Sequence, residues 1–175
     1  MNRRQLGLVG LILLVAVPLL SGCASGRETA ALQAQADQVA SNKEVVHNFV
    51  ELFESGNWDD FDQVIASDCV LHYPGGENVN GLEAMKAGWA VFFGAMKDMR
   101  VTPVAEISEG ELLVDFYTFE ATYEGDYMGQ EIDGLPIKYN QVEMMRIADG
   151  KIVEWWVEND RLWMSQQLGL ELVPQ

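Results

Sequence analysis

The spacing of apolar residues changes once along this chain, and that change restricts the fold more than any other feature. From Leu82 to Met96, the residues Leu82, Met85, Trp89, Phe92, Phe93 and Met96 recur at the three-and-four spacing of one helix face. Beyond Met96 the period is two. It predicts strands over Val101–Ile107, Leu112–Tyr123, Ile137–Ala148 and Ile152–Glu158. Glu109-Gly110 and Asp149-Gly150 supply turns, and a glycine-rich loop is expected from Gly125 to Pro136. Upstream, Ser41-Asn42-Lys43-Glu44 reads as a capping box opening a helix that carries Val45, Val46, Phe49, Val50, Leu52 and Phe53 and stops at Gly56. A short helix over Trp58–Ile65 and a strand over Cys69–Pro74 follow, and a last helix over Leu162–Leu168 finishes at Gly169. Helices first and a run of antiparallel strands afterwards is an α+β order. A sheet of that kind forms a concave pocket if it curls over the helices.

Composition narrows the partners. The 175 residues suit one domain with a sizeable core, and Asp+Glu 27 against Lys+Arg 11 gives a net charge of −16. Such a surface repels phosphate, which argues against nucleic acid as a partner. Two Cys and two His provide no zinc-type spacing.

The N-terminus reads as an address. Arg3 and Arg4 precede an apolar run from Leu6 to Leu20, short for a spanning helix and followed by Leu20-Ser21-Gly22-Cys23. This layout resembles a bacterial lipoprotein signal. It implies cleavage after residue 22, acylation of Cys23 by lipid such as palmitate, and attachment to a membrane of the cell envelope, the outer one where the cell has one. Residues 23–40, rich in Ala, Gln and Ser, then form a tether, and the domain occupies 41–175. With the Cys23 thiol consumed, Cys69 has no disulfide partner.

Several local stretches resemble the SnoaL-like polyketide cyclases of the nuclear-transport-factor-2-like superfamily. They are Phe49-Val50-Glu51-Leu52-Phe53 with Gly56-Asn57, His72-Tyr73-Pro74 with Gly81, Gly134-Leu135-Pro136, Arg146 through Glu154, and then Trp156, Asp160 and Gln167-Leu168-Gly169. The resemblance spans about residues 42–170 and implies a cone-shaped, curved antiparallel sheet packed against three N-terminal helices. It implies cofactor-independent chemistry in which an aspartate at the last strand removes a proton beside a carbonyl. Asp160 stands at that position, and His72 matches a pocket histidine. Lys138 follows the Gly-x-Pro turn where the family often has a basic residue, but Ala121-Thr122-Tyr123-Glu124 lacks the family's histidine.

The residues alone leave two roles for Asp160: a base held dry among Trp, Met and Phe, or the N-cap of the last helix. Alternation puts Trp156, Glu158 and Asp160 on one strand face and Trp155, Val157 and Asn159 on the other, unless a bulge intervenes. With Trp156 in the cavity, Asp160 follows it inward and Trp155 faces outward, where a homodimer would cover it. Glu158 reads as a rim residue. Trp156, Tyr117, Trp89, Met145 and Tyr139 are the candidate contacts for a small apolar ligand, although Trp89 with Phe92 and Phe93 reads most simply as helix core. Arg146, Asp160 and Asp115 are the only residues available for an epoxide-hydrolase arrangement. The two functions these features admit are a cyclase, isomerase or lyase acting on a carbonyl compound, and a non-catalytic envelope lipoprotein that binds a small molecule or a protein.

Overall fold

The computed structural model describes residues 22–170. The basic and apolar leader lies outside them. Backbone contacts divide the chain after Gln33, and everything below concerns the unit from Ala34 onward.

Helix α1 (Gly22–Ser55) runs unbroken through Ser41–Glu44, so the expected capping box does not open a helix. Preceding turns already bond the amides that Ser41 would have capped. Asn42 is fully buried instead. It accepts from Gln38 (2.8 Å) and donates to Ser108 Oγ (3.0 Å) and the Gly110 carbonyl (2.8 Å), tying the helix to a turn of the sheet. Gly56, with φ +69°, ends α1 as its position predicts.

The expected second helix is a single 3-10 stretch, Trp58–Gln63. Val64 and Ile65 are drawn away into the sheet, where Ile152 N donates to the Val64 carbonyl and strand β1 (Ile65–His72) begins. After the short β2 (Asn78–Asn80), helix α2 (Leu82–Phe92) ends earlier than its apolar spacing suggests. Phe93–Ala95 form a 3-10 turn, and Met96 already belongs to β3 (Met96–Glu109). Strands β4 (Leu112–Tyr127) and β5 (Gln130–Ala148) continue through the expected glycine-rich loop as one long hairpin. Met128 and Gly129 turn it with φ of 54° and 86°, the sign a two-residue hairpin requires. Strand β6 (Lys151–Asn159) follows the Asp149-Gly150 turn, and α3 (Arg161–Gln167) closes the described chain.

The six strands lie in the order β2-β1-β6-β5-β4-β3, antiparallel except for the parallel pair β1 and β6. The curved sheet is one wall of an α+β cone. Period-two alternation sends Leu113, Asp115, Tyr117, Phe119, Ala121 and Tyr123 of β4 to its inner face, and all six are buried. Against that face pack Val46, Phe49 and Phe53 of α1, Phe61, and Met85 and Trp89 of α2. Their rings interlock, Phe49 edge-on to Trp155 at 4.9 Å and Phe61 edge-on to Trp89 at 5.5 Å. Burying a side chain such as Phe61, at 0 % exposure, contributes roughly 2–3 kcal/mol.

The hairpin between β5 and β6 contains one irregularity with large consequences. Arg146 pairs with Glu154 and Ile147 with Ile152, so Val153 has no partner. This bulge shifts the alternation of β6 by one residue. Ile152, Trp155 and Val157 are buried on the inner face, while Glu154, Trp156 and Glu158 fall on the outer one.

Candidate active site

Between the sheet and the helices lies a cavity of about 380 Å³. Aromatic side chains dominate its walls: Phe49 and Phe53 from α1, Trp89, Phe92 and Phe93 from α2 and the turn after it, Tyr117 and Phe119 from β4, Tyr139 from β5 and Trp155 from β6. Trp89, Met145, Tyr117 and Tyr139 lie on this cavity wall.

Asp160, His72 and Trp156 do not. The bulge at Val153 turns Trp156 outward, where its ring stacks on His72 at 4.8 Å and 11°. His72 is held there by Asn78 Oδ1 (3.0 Å) and Glu154 Oε1 (3.1 Å), and Glu154 also accepts from Arg146 at 3.1 Å. The hydrogen bond to His72, and then those to Arg146, hold the Glu154 carboxyl below its ordinary pKa. Asp160 is the N-cap of α3, its Oδ1 accepting from Trp163 N at 2.8 Å, and its side chain is exposed. Trp155, expected on an outer face that a homodimer would cover, is 4 % exposed and belongs to the core. Glu158 is exposed on the outer face, and Lys138 pairs with Glu120 at 2.8 Å away from the cavity. Arg146 and Asp160 lie outside the cavity wall, which removes the epoxide-hydrolase arrangement built on them and Asp115.

The cavity wall carries Tyr73 and Arg161 as well as a group of polar side chains from the middle of the sheet. Glu143 of β5 is 3 % exposed. Its Oε1 accepts from Tyr117 Oη at 2.7 Å and from Gln141 Nε2; Gln141 Nε2 also meets the Tyr117 hydroxyl at 2.6 Å. Asn159 Nδ2 in turn donates to Gln141 Oε1 at 3.1 Å. Both of these bonds to Glu143 fall on Oε1. Burial raises the Glu143 pKa to about 7, with the hydrogen bonds from Tyr117 and Gln141 opposing the shift and the nearby Asp115 adding to it. The Trp155 indole leans toward the same carboxyl, short of a hydrogen bond. Burial likewise lifts Asp115 to about 6, helped by Glu106 and opposed by His47. Tyr117 and Tyr139 are pushed upward chiefly by burial and stay neutral donors.

Among the described residues, three buried polar side-chain atoms have no hydrogen-bond partner: Asp115 Oδ1, Trp155 Nε1 and Asn159 Oδ1. All three residues line this one cavity. Leaving a buried donor or acceptor unpaired costs about 1–3 kcal/mol, so their convergence marks a place for a polar-functionalised molecule.

The model of the SnoaL-like polyketide cyclase family matches residues 43–168. The chain belongs to that family. Solved structures agree. IdmH of Streptomyces antibioticus, an assigned polyketide cyclase, is 27 % identical over 74 % of this chain and 99 % of its own, with a TM-score of 0.66. An assigned polyketide cyclase of Acidithiobacillus ferrooxidans is 25 % identical over 74 % of this chain and 94 % of its own, at 0.65. AclR of Streptomyces galilaeus, an assigned hydroxylase, shares the fold at 22 % identity and 0.69, over 78 % and 87 % of the two chains. No curated protein sequence matches this SnoaL-like chain significantly.

Proposed function

We propose that this SnoaL-like protein is a cyclase-type enzyme that uses Glu143 as its general base on a small, largely apolar carbonyl compound. The supporting observation is a carboxyl buried in an aromatic cavity, with a pKa of about 7 and with Tyr117 and Gln141 both bonding the same one of its oxygens. A base with that pKa is well matched to neutral pH, where an ordinary carboxylate is too weak.

In the proposed reaction Glu143 Oε2 takes a proton from the carbon beside a carbonyl. The C–H electron pair moves onto the carbonyl oxygen as an enolate. The unpaired Trp155 Nε1–H donates to that oxygen where charge develops. The enolate carbon then bonds to a second carbonyl carbon of the same molecule, and the resulting alkoxide takes back the proton from Glu143. Substrate and product are isomers. Reprotonation of the enolate at another carbon would give isomerase chemistry at the same site. Burial makes the carboxyl more basic, while Tyr117 and Gln141 fix it in place and moderate the shift.

Exchange of the α-protons of 1-tetralone into D2O, followed by NMR with the full-length protein, tests this. Glu143→Gln is expected to lower the catalysed rate by about 10²-fold or more, and Asp160→Asn, which keeps a favoured cap, to leave it within twofold. Exchange that survives Glu143→Gln and is abolished by Asp160→Asn would return the base to the last strand. A wild-type protein that binds the ketone without exchanging it would be a binding lipoprotein instead.

The Leu20–Cys23 stretch supports a second proposal, acylation of Cys23 and tethering to the envelope. Mass spectrometry of the N-terminal peptide would show the lipid, and Cys23→Ser would release the protein from membranes; an unmodified Cys23 in membrane-extracted protein refutes it.

A further inference from the structure

The strand register lines up three acids. Glu106 of β3 is the partner of Asp115 on β4, and Asp115 is the partner of Glu143 on β5. Directly opposed like charges weaken a sheet. The outermost member is neutralised from α1, where Lys43 Nζ lies 2.9 Å and His47 Nε2 3.1 Å from its two oxygens. The inner two receive no such partner. Among the described residues, no Lys, Arg or His comes within ion-pair distance of Asp115 or Glu143. Arg161, the one cation that the described residues place on the cavity wall, has its guanidinium over the Tyr73 ring, 5.3 Å from the centroid.

Asp115 is the more exceptional of the inner pair. It is 3 % exposed, it lines the cavity, and its Oδ1 has no hydrogen-bond partner. Where Glu143 has Tyr117 and Gln141, Asp115 meets neither a donor at Oδ1 nor a counter-ion. A buried carboxyl in that condition is costly unless something else supplies the missing charge. The surrounding walls suit a cation: Trp89, Trp155, Tyr117 and Tyr139 line the same space, and aromatic rings attract cations most strongly away from water.

We propose that the cavity takes an apolar molecule carrying a protonated amine, its ammonium seated against Asp115 among the aromatic walls. On the reading of Glu143 as the base, this names the substrate class as an amine-bearing carbonyl compound. The amine then sits one strand away from the reacting carbon, with the carbonyl turned toward Trp155.

Calorimetry on the full-length protein with 2-aminotetralin, its neutral isostere 2-tetralol and tetralin-2-carboxylate tests the site. Wild type is expected to bind the amine about tenfold more tightly than the alcohol and the carboxylate most weakly. Asp115→Asn should bring amine and alcohol within about twofold while leaving alcohol affinity unchanged, which also shows that the variant is folded. Equal binding of amine and alcohol by wild type, no amine binding at millimolar concentration, or a preference that survives Asp115→Asn each overturns the proposal. Glu143→Gln separates it from the catalytic reading. A variant that keeps the amine preference but loses proton exchange supports both. Exchange that survives in that variant removes the base and leaves the amine site standing.

Discussion

Replacing Glu143 by glutamine makes a measurable statement about what the cavity costs the fold. The carboxyl is almost wholly buried, and its pKa rises from an ordinary 4.5 to about 7. Between those values the folded chain holds a proton that the unfolded chain has released. Stability is therefore full below pH 4.5 and falls as pH rises through 7. The shift corresponds to about 3 kcal/mol of stability lost by pH 8. Glutamine keeps an oxygen for Tyr117 and Gln141 and has no charge to desolvate. Glu143→Gln should match wild type at pH 4.5 and exceed it by about 3 kcal/mol at pH 8, a rise in Tm of about 10 °C for a domain of this size. Urea unfolding followed by tryptophan fluorescence at several pH values would measure it. Curves for wild type and Glu143→Gln that run parallel from pH 5 to 8 would refute the assignment of a buried, raised carboxyl at this position. Asp115, lifted from 3.8 to about 6 mainly by burial, leaves the glutamine variant a smaller fall centred lower. Because the two acids repel each other, the effects of changing both should not add.

Other positions give sharper structural tests. Asp160→Ala should cost about 1 kcal/mol in equilibrium unfolding through loss of the bond to Trp163 N, and Asp160→Asn almost nothing. Asn42→Ala should destabilise by roughly 2 kcal/mol, because the Gly110 carbonyl and Ser108 hydroxyl lose a donor in a buried place. Phe61→Ala, at the junction of Phe49, Trp58 and Trp89, should cost about 3–5 kcal/mol in the same assay. The Cys69 thiol, buried and pushed up to about 12, should resist alkylation in the native protein and react on unfolding.

The α+β order, the strands and most of their turns are legible in the sequence because hydrophobic period and glycine position report local geometry. Asp149-Gly150 and Gly56 do what their residue types require. Less legible are contacts that depend on distant partners. Ser41–Glu44 has the pattern of a cap, but the preceding residues continue the helix. Phe93 and Met96 keep helical spacing, yet β4 recruits Met96 into the sheet opposite Tyr123. For the site, Tyr117, Tyr139, Met145 and Trp89 follow from alternation and helix phase. Glu143 also left a trace: it falls in phase with Ile137, Tyr139, Met145 and Ile147, the inward positions of its strand, and an acid in that phase is a buried acid. Asp115 sits likewise between Leu113 and Tyr117. What alternation cannot supply is the location of the extra residue in β6, because nothing about Val153 itself marks it as unpaired.

That unpaired valine makes chain length, rather than residue identity, the selector of which side chains meet a ligand. With Val153 looped out, the stretch Trp155-Trp156-Val157-Glu158-Asn159 offers an indole, a valine and an amide to the interior. Deleting one residue at the hairpin would reverse the strand's phase and offer the other indole and Glu158 instead, with every letter of the motif from Glu154 to Asp160 unchanged. A chain of the same last-strand sequence but one residue shorter at the hairpin would thus present the opposite half of that strand to its cavity.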